Sequence, residues 1–279
     1  MPHETLVDVP TLVAHLRDPA WLVVDCRFQL ADPGAGERLH AEATIPGSIY
    51  AHLDRDLSRP IIPGRTGRHP LPAREVFAST LGRWGLSAST QVVAFDDMGG
   101  AFASRLWWML RYMGHEAVAV LEGGFPAWQA AGLPEQAGVE GAKTAVFTGT
   151  PRRDWVVVKA DVLSVPLLVD SRAPDRYRGE IEPIDAVAGH VPGAVNFFYQ
   201  RNWGEGGYLA PAQLAAQFRD LLGNTPADEA VFYCGSGVSA CANLLALVHA
   251  EVGNGRLYVG SWSEWSSDPN TPKATGAQP

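Results

Sequence analysis

Ala230-Val231-Phe232-Tyr233-Cys234-Gly235-Ser236-Gly237-Val238-Ser239-Ala240 is the stretch whose reading decides the fold. Four apolar residues run into a loop with two glycines, and a helix-like segment from Cys241 to Ala250 follows at once. A buried strand handed directly to a helix predicts an α/β sheet, with Cys234 at the carboxyl edge where such sheets bind ligands. Amides at a helix N-terminus lack intrahelical acceptors, and glycines let several of them converge on one point. A thiol facing that nest is favoured as the thiolate. The sequence therefore predicts a reactive Cys234 in an anion cradle built from Gly235, Ser236, Gly237, Val238 and Ser239. The competing reading, a buried inert cysteine at a strand end, is outweighed by the Gly-x-Gly loop and the immediate helix.

Working outward, the chain is written twice. Trp21-Leu22-Val23-Val24-Asp25-Cys26-Arg27 matches Pro166-Leu167-Leu168-Val169-Asp170-Ser171-Arg172, and Ile45-Pro46-Gly47-Ser48 matches Val191-Pro192-Gly193-Ala194. Val92 to Asp96 matches Ala230 to Cys234, and Gly123-Gly124-Phe125-Pro126-Ala127-Trp128 matches Gly260-Ser261-Trp262-Ser263-Glu264-Trp265. The offset falls from 146 to 138 between the second and third matches, so the first copy carries an insertion, read as the Pro/Gly-rich loop 59–72. Strands are predicted at 21–25, 91–95, 117–121, 167–171, 230–234 and 256–260, and helices at 102–112, 211–222 and 240–250. Short apolar strands alternating with helices indicate a mostly parallel sheet flanked by helices in each copy. The expected domains are 1–138 and 150–279, joined by a linker at 139–149. In the first copy Asp96 stands where Cys234 stands in the second, with Gly99 in the place of Gly237. A carboxylate cannot do thiol chemistry, but it can accept the amides of the nest, so the first copy reads as silent.

Composition bounds the function. Of 279 residues, 46% are hydrophobic and 19% charged, enough for two domains with real cores. The formal net charge of −8, without a basic run, argues against a nucleic-acid partner. Three cysteines, at 26, 234 and 241, make neither a disulfide framework nor a zinc pattern. With no signal-peptide pattern at the N-terminus and no apolar run of membrane length, the expectation is a cytoplasmic protein, monomeric, with no membrane partner.

The Cys234–Ala240 loop, Gly189-His190-Val191-Pro192-Gly193-Ala194, the Asp-x-Arg strand ends at Asp25 and Asp170, and Gly260-Ser261-Trp262-Ser263-Glu264-Trp265 together resemble the tandem-domain rhodanese family of sulfurtransferases. The resemblance spans nearly the whole chain. It implies two tandem rhodanese-like domains, an active cysteine in the second and a silent first. It also implies a two-step reaction: Cys234 takes a sulfane sulfur from a small anionic donor, and the persulfide passes it to a thiophilic acceptor such as cyanide, a small thiol or thioredoxin. No metal or organic cofactor is implied. Arg176 matches the family's anion-binding arginine, and Arg178 is a second candidate for the donor. A loop free of basic residues looks like the branch that uses 3-mercaptopyruvate rather than thiosulfate, with Ser236 near the leaving group. Two departures pull the other way: Thr44 stands where a histidine is expected, leaving the Ser-His-Asp relay of that branch incomplete, and Ile184 stands where a second carboxylate-binding arginine is expected.

The remaining candidates divide between chemistry and architecture. Arg27 and Arg172 read as structural partners of Asp25 and Asp170, His190 as the holder of a turn, and Cys241 as a helix-core residue two turns beyond Cys234. His69, in the long loop, reads equally as a site residue and as a surface histidine. A Cys-dependent phosphatase needs an arginine six residues after the cysteine, and position 240 is Ala. A persulfide carrier with little turnover is the alternative outside the enzymes.

Overall fold

Each copy of the repeat folds around an unbroken apolar run, 92–95 in the first and 230–233 in the second, the pattern of a parallel strand covered on both faces. In a computed structural model describing residues 2–138 and 144–279, the first copy contains β1 (Leu6–Val7), β2 (Trp21–Asp25), β3 (Ile49–Tyr50), β4 (Gln91–Phe95) and β5 (Val118–Leu121). They form a parallel sheet in the order β1-β5-β4-β2-β3, with β4 at its centre. The second copy contains β6 (Val156–Val157), β7 (Leu167–Asp170), β8 (Ala194–Asn196), β9 (Trp203–Gly204), β10 (Gly207–Tyr208), β11 (Ala230–Tyr233) and β12 (Arg256–Tyr258). Here the parallel order is β6-β12-β11-β7-β8, the same topology again, while β9 and β10 form a separate antiparallel pair.

Helices α1 (Val9–His15), α2 (Ala35–Glu42), α3 (Arg74–Arg83), α4 (Ala103–Tyr112) and α5 (Gly124–Ala130) belong to the first copy. Helices α6 (Pro174–Arg178), α7 (Pro211–Leu222), α8 (Ala240–His249) and α9 (Ser261–Ser267) belong to the second. The strands and helices expected from sequence are present, their ends shifted by two residues at most. The chain divides into two compact units. One comprises residues 1–59 and 71–152, the other 60–70 and 153–279. Segment 60–70, with neither strand nor helix, therefore packs with the second unit although it lies in the first half of the sequence. Part of the expected linker, 139–143, lies outside the described residues.

Within the second unit, β7 leads to β8 on one side of the sheet and β11 leads to β12 on the other. The carboxyl ends of β7 and β11 thus flank the point where the chain reverses direction across the sheet, the crevice in which such sheets bind ligands. Beneath it lies a core of Val157, Val162, Leu168, Val231, Tyr233, Tyr258, Trp262 and Trp265, all buried. Each large side chain removed from water there contributes about 1.5–3 kcal/mol. Helix α8 is buried along most of its length and is tied down by a polar chain. Asn243 Nδ2 donates to Ser171 Oγ (2.9 Å) and to Phe197 O (3.0 Å), and Asn243 Oδ1 accepts from Asn202 (2.7 Å). This chain fixes the start of α8 against the end of β7, and with it the loop between β11 and α8.

Candidate active site

Cys234 follows the last residue of β11 and is 2% exposed. Its carbonyl accepts from Trp262 N (3.0 Å) and that of Gly235 from Ser263 N (2.9 Å), so the loop is stitched to the first turn of α9. The amide of Cys234 donates to Ser261 Oγ (3.2 Å), whose hydroxyl donates in turn to Tyr258 O (2.9 Å). Ser261 holds this position with φ +55°, a left-handed conformation that costs a non-glycine residue of order 1 kcal/mol. The loop turns at Gly237, φ +76°, where a Cβ would lie 2.6 Å from Val259 O, so both conformation and space require glycine.

Beyond Cys234, among the described residues, the amides of Gly235, Ser236, Val238, Ser239 and Ala240 donate to no protein acceptor. Ser239 is the N-cap of α8, and its side chain makes no capping bond. Donors arrayed at a helix start without acceptors form a site for an anion. The first copy shows the same nest occupied: Asp96 accepts from Met98 N (2.8 Å), Gly100 N (2.8 Å), Phe102 N (2.7 Å) and Ala103 N (2.8 Å). Burial still pushes the Asp96 carboxyl above the ordinary aspartate range, against the pull of these four bonds.

Three side chains beyond the loop face it. Ser236 Oγ lies 2.7 Å from His69 Nδ1, and both residues are buried. His69, read from the sequence equally as a site residue and as a surface histidine, is brought to the loop by segment 60–70, so a serine–histidine pair is present although Thr44 stands before Ile45-Pro46. Thr44 is instead a structural residue, donating to Asp25 Oδ2 (3.0 Å) and sharing a hydrogen bond with Ser48. Arg176 is held by Glu182 through Nη2 (2.6 Å) and Nε (3.2 Å). A Cβ built on Gly235 would lie 3.7 Å from both terminal nitrogens of Arg176 and 2.9 Å from Arg68 Nη2, so two guanidinium groups meet at the loop. Sequence reasoning missed Arg68: it sits in an irregular loop more than a hundred residues from everything it touches here, and no periodic pattern marks it.

The charges around these arginines alternate. Arg68 Nη1 pairs with Asp185, Asp185 Oδ2 stands 3.6 Å from Arg176, and Glu182 also reaches Arg172 (3.2 Å), which pairs with Asp170 (2.6 Å). Burial pushes the Asp185 carboxyl up despite Arg68 beside it. Burial also opposes ionisation of Glu182, but the bonds from Arg176 and from the Asp185 and Ile184 amides outweigh it and hold its carboxyl below the usual range.

Arg172 is a structural partner, as read from the sequence: it binds Asp170 and Gly189 O (2.7 Å) and lies over the Trp262 ring. Arg27 repeats this with Asp25, Ala43 O (2.7 Å) and the Phe125 ring. His190 Nδ1 meets Tyr177 O (2.8 Å), its ring stacks on Tyr177, and its backbone pairs with Ala274, so it holds the turn and does not reach the loop. Arg178 is engaged by Glu180 through two 2.7 Å bonds in an exposed position, and the structure does not bring it to Cys234. Cys241 is fully buried in α8, its thiol donating to Gly237 O (3.5 Å). Among the described residues no group of three or more His, Cys, Asp or Glu is placed to hold a metal ion, and no helix is long and apolar enough to cross a membrane.

Comparison with known proteins agrees with this geometry. The rhodanese-like domain profile matches residues 8–131 and 156–268, one match in each half. The chain is 47% identical over 279 residues to a Pseudomonas aeruginosa protein named "Probable 3-mercaptopyruvate sulfurtransferase", covering 97% of this chain and 98% of that one. It is 31% identical over 280 residues to a thiosulfate sulfurtransferase of Rattus norvegicus, covering 94% and 92% of the two chains. The solved 3-mercaptopyruvate sulfurtransferase of Leishmania major superposes with a TM-score of 0.84 at 30% identity, over 95% of this chain and 75% of that one. With a matching domain in each half and relatives of one enzyme class along its full length, the chain belongs to the rhodanese family of sulfurtransferases.

Proposed function

We propose that the protein moves a sulfane sulfur from 3-mercaptopyruvate or thiosulfate to a thiophilic acceptor through a Cys234 persulfide, with 3-mercaptopyruvate the favoured donor. The observation that carries this reading is the nest in front of Cys234, where among the described residues the amides of Gly235, Ser236, Val238, Ser239 and Ala240 have no protein acceptor, while the same nest in the first copy is filled by Asp96. In the first step the Cys234 thiolate attacks the donor sulfur. The S–C3 bond of mercaptopyruvate breaks, its electron pair passes to C3 as the enolate of pyruvate, and C3 takes up a proton. In the second step the acceptor attacks the outer sulfur of the persulfide, and the S–S electron pair returns to Cys234 as thiolate. With thiosulfate the leaving group is sulfite and needs no proton. Splitting one transfer into two covalent steps gives ping-pong kinetics.

The loop residues Gly235, Ser236, Gly237, Val238 and Ser239 stabilise the negative charge that passes among thiolate, persulfide and leaving group. Ser236, 2.7 Å from His69, is placed to hand on the proton that the enolate needs, with His69 resupplying the hydroxyl. This pair is what favours mercaptopyruvate. Arg176 binds the donor anion; Arg178, paired with Glu180, is assigned no part in it. Residues 150–279 act as the catalytic domain, completed by segment 60–70, and the rest of 1–138 as the silent one, with 139–149 as the linker. Cyanide, small thiols and thioredoxin are the acceptor classes, the protein acts as a monomer, and its three free cysteines suit a reducing compartment such as the cytoplasm.

The test is sulfur transfer to cyanide with both donors, compared as kcat/KM, alongside mass analysis of Cys234 for one added sulfur atom. A preference for mercaptopyruvate with a loaded cysteine is the expected result. A preference for thiosulfate would overturn the donor assignment, and loading without turnover would make the protein a persulfide carrier.

A further inference from the structure

We propose that Arg68 is the second anion-binding guanidinium of the donor site, acting with Arg176 as a clamp for the donor's carboxylate on the Gly235 side of the cysteine loop. The inference rests on the sulfurtransferase reading above and adds to it a specificity-determining residue from outside the second half of the sequence.

Four observations carry it. First, Arg68 Nη2 and the terminal nitrogens of Arg176 converge where a Gly235 side chain would be, one residue from the nucleophile. Second, Arg68 Nη2 and Arg176 Nη1 have no hydrogen-bond acceptor among the described residues, whereas Asp185 holds Arg68 Nη1 and Glu182 holds Nε and Nη2 of Arg176. A guanidinium anchored on one edge presents the other to a planar anion without first losing the freedom of a surface side chain. Third, the position of Arg68 is built rather than incidental. Its amide donates to Ser263 Oγ (3.0 Å), the residue whose own amide fixes Gly235 O, and Gly67 packs so tightly that a Cβ there would lie 2.3 Å from Gly260 O. Fourth, the next residue, His69, meets Ser236, so one short segment delivers both a cation for the carboxylate and a partner for the hydroxyl. A 2-oxo acid bound by its carboxylate between the arginines would have its third carbon free to reach toward Cys234 and Ser236. The first copy has no such clamp: Ala31 follows Arg27 by four residues, as Arg176 follows Arg172.

The experiment is the concentration dependence of Cys234 persulfide formation from 3-mercaptopyruvate in wild type, Arg68→Gln and Arg68→Lys, together with inhibition by pyruvate, which shares the carboxylate and lacks the sulfur. Loss of a charge-assisted contact is expected to raise KM and the pyruvate inhibition constant about 10- to 100-fold in Arg68→Gln, with kcat within about 3-fold of wild type. Arg68→Lys, which keeps the charge and loses the fork, should fall between the two. If Arg68→Gln does not fold, the Arg68→Lys shift in KM against kcat decides alone. An unchanged KM, or a fall in kcat with KM and pyruvate inhibition unmoved, would overturn the clamp and leave Arg68 as a holder of the loop. Failure of wild type to form a persulfide from either donor would instead overturn the underlying sulfurtransferase reading.

Discussion

The loop after β4 and the loop after β11 are one backbone device with two contents. In the first, the Asp96 carboxylate gathers four amides at 2.7–2.8 Å and closes the nest. In the second, Cys234 stands at the matching position, its own amide is taken by Ser261, and among the described residues the amides of Gly235, Ser236, Val238, Ser239 and Ala240 find no protein acceptor. A thiol cannot accept bonds as a carboxylate does, so replacing Asp by Cys turns a self-satisfied structural motif into a binding site. Capping by a carboxylate and, on the function proposed above, stabilising a reactive sulfur are alternative uses of the same donors.

The largest expected effect comes from breaking the second loop. Cys234→Ser should lower sulfur transfer by at least about 10³-fold while circular dichroism stays unchanged, since the nucleophile is lost and one small buried side chain replaces another. Appreciable residual turnover would refute Cys234 as the nucleophile. Cys241→Ser, two helical turns away and bonded to Gly237 O, should keep most of the activity. Writing the first loop into the second sharpens the comparison further. Cys234→Asp should be inactive yet raise the melting temperature by roughly 2–4 °C, provided the carboxylate captures the amides as Asp96 does. A lowered melting temperature would mean that the two nests differ in backbone as well as in content.

The next effect lies in the first loop. Asp96→Ala leaves four amides without an acceptor in a buried site, and should destabilise the first unit by about 3–5 kcal/mol. Thermal unfolding followed by calorimetry checks this, and a shift of less than about 2 °C would show that solvent or a shifted backbone replaces the carboxylate.

A smaller effect separates the two supports behind the loops. Ser261 at φ +55° takes the position of Gly124 at φ +59° in the first copy. Ser261→Ala keeps the strained backbone and loses the acceptor for Cys234 N, so kcat should fall about 10-fold with KM for the donor little changed. Ser261→Gly should recover stability without recovering rate; equal recovery of both would assign the role to the backbone alone.

The smallest expected effect is a pH dependence. Burial holds His115 below the ordinary histidine range, even though its Nε2 meets Thr90 O at 2.9 Å. The unfolded chain takes up this proton near pH 6.5 while the folded chain resists it. Stability from this group is therefore full above about pH 6.5 and is lost as pH falls through the lowered folded value. Burial lowers His52 in the first unit and His249 in the second in the same way. The fall in melting temperature between pH 7 and pH 5.5 should be shallower in His115→Gln than in wild type; parallel profiles would remove His115 from the account.

Much of this protein is fixed by local pattern. Uninterrupted apolar runs at 92–95 and 230–233 can be satisfied only in the middle of a parallel sheet, and the repeat places the same sheet in both halves. A glycine that must take φ +76° next to Val259 O marks the turn of the nest, and the cysteine before it marks the chemistry, because these requirements concern residues adjacent in the chain. The Asp-x-Arg pairs were legible for the same reason, with both partners two residues apart. What tertiary structure alone decided is which distant side chains meet that loop. His69 reaches Ser236 across 167 residues and Arg68 reaches Asp185 across 117, both from a segment whose proline- and glycine-rich sequence has no periodicity to reveal where it docks. Arg178, two residues from Arg176, turned instead to Glu180. Neighbours along the chain constrain each other through backbone geometry, and those constraints are written in residue type. Contacts across the chain depend on how whole elements pack, and no single residue carries that in its identity.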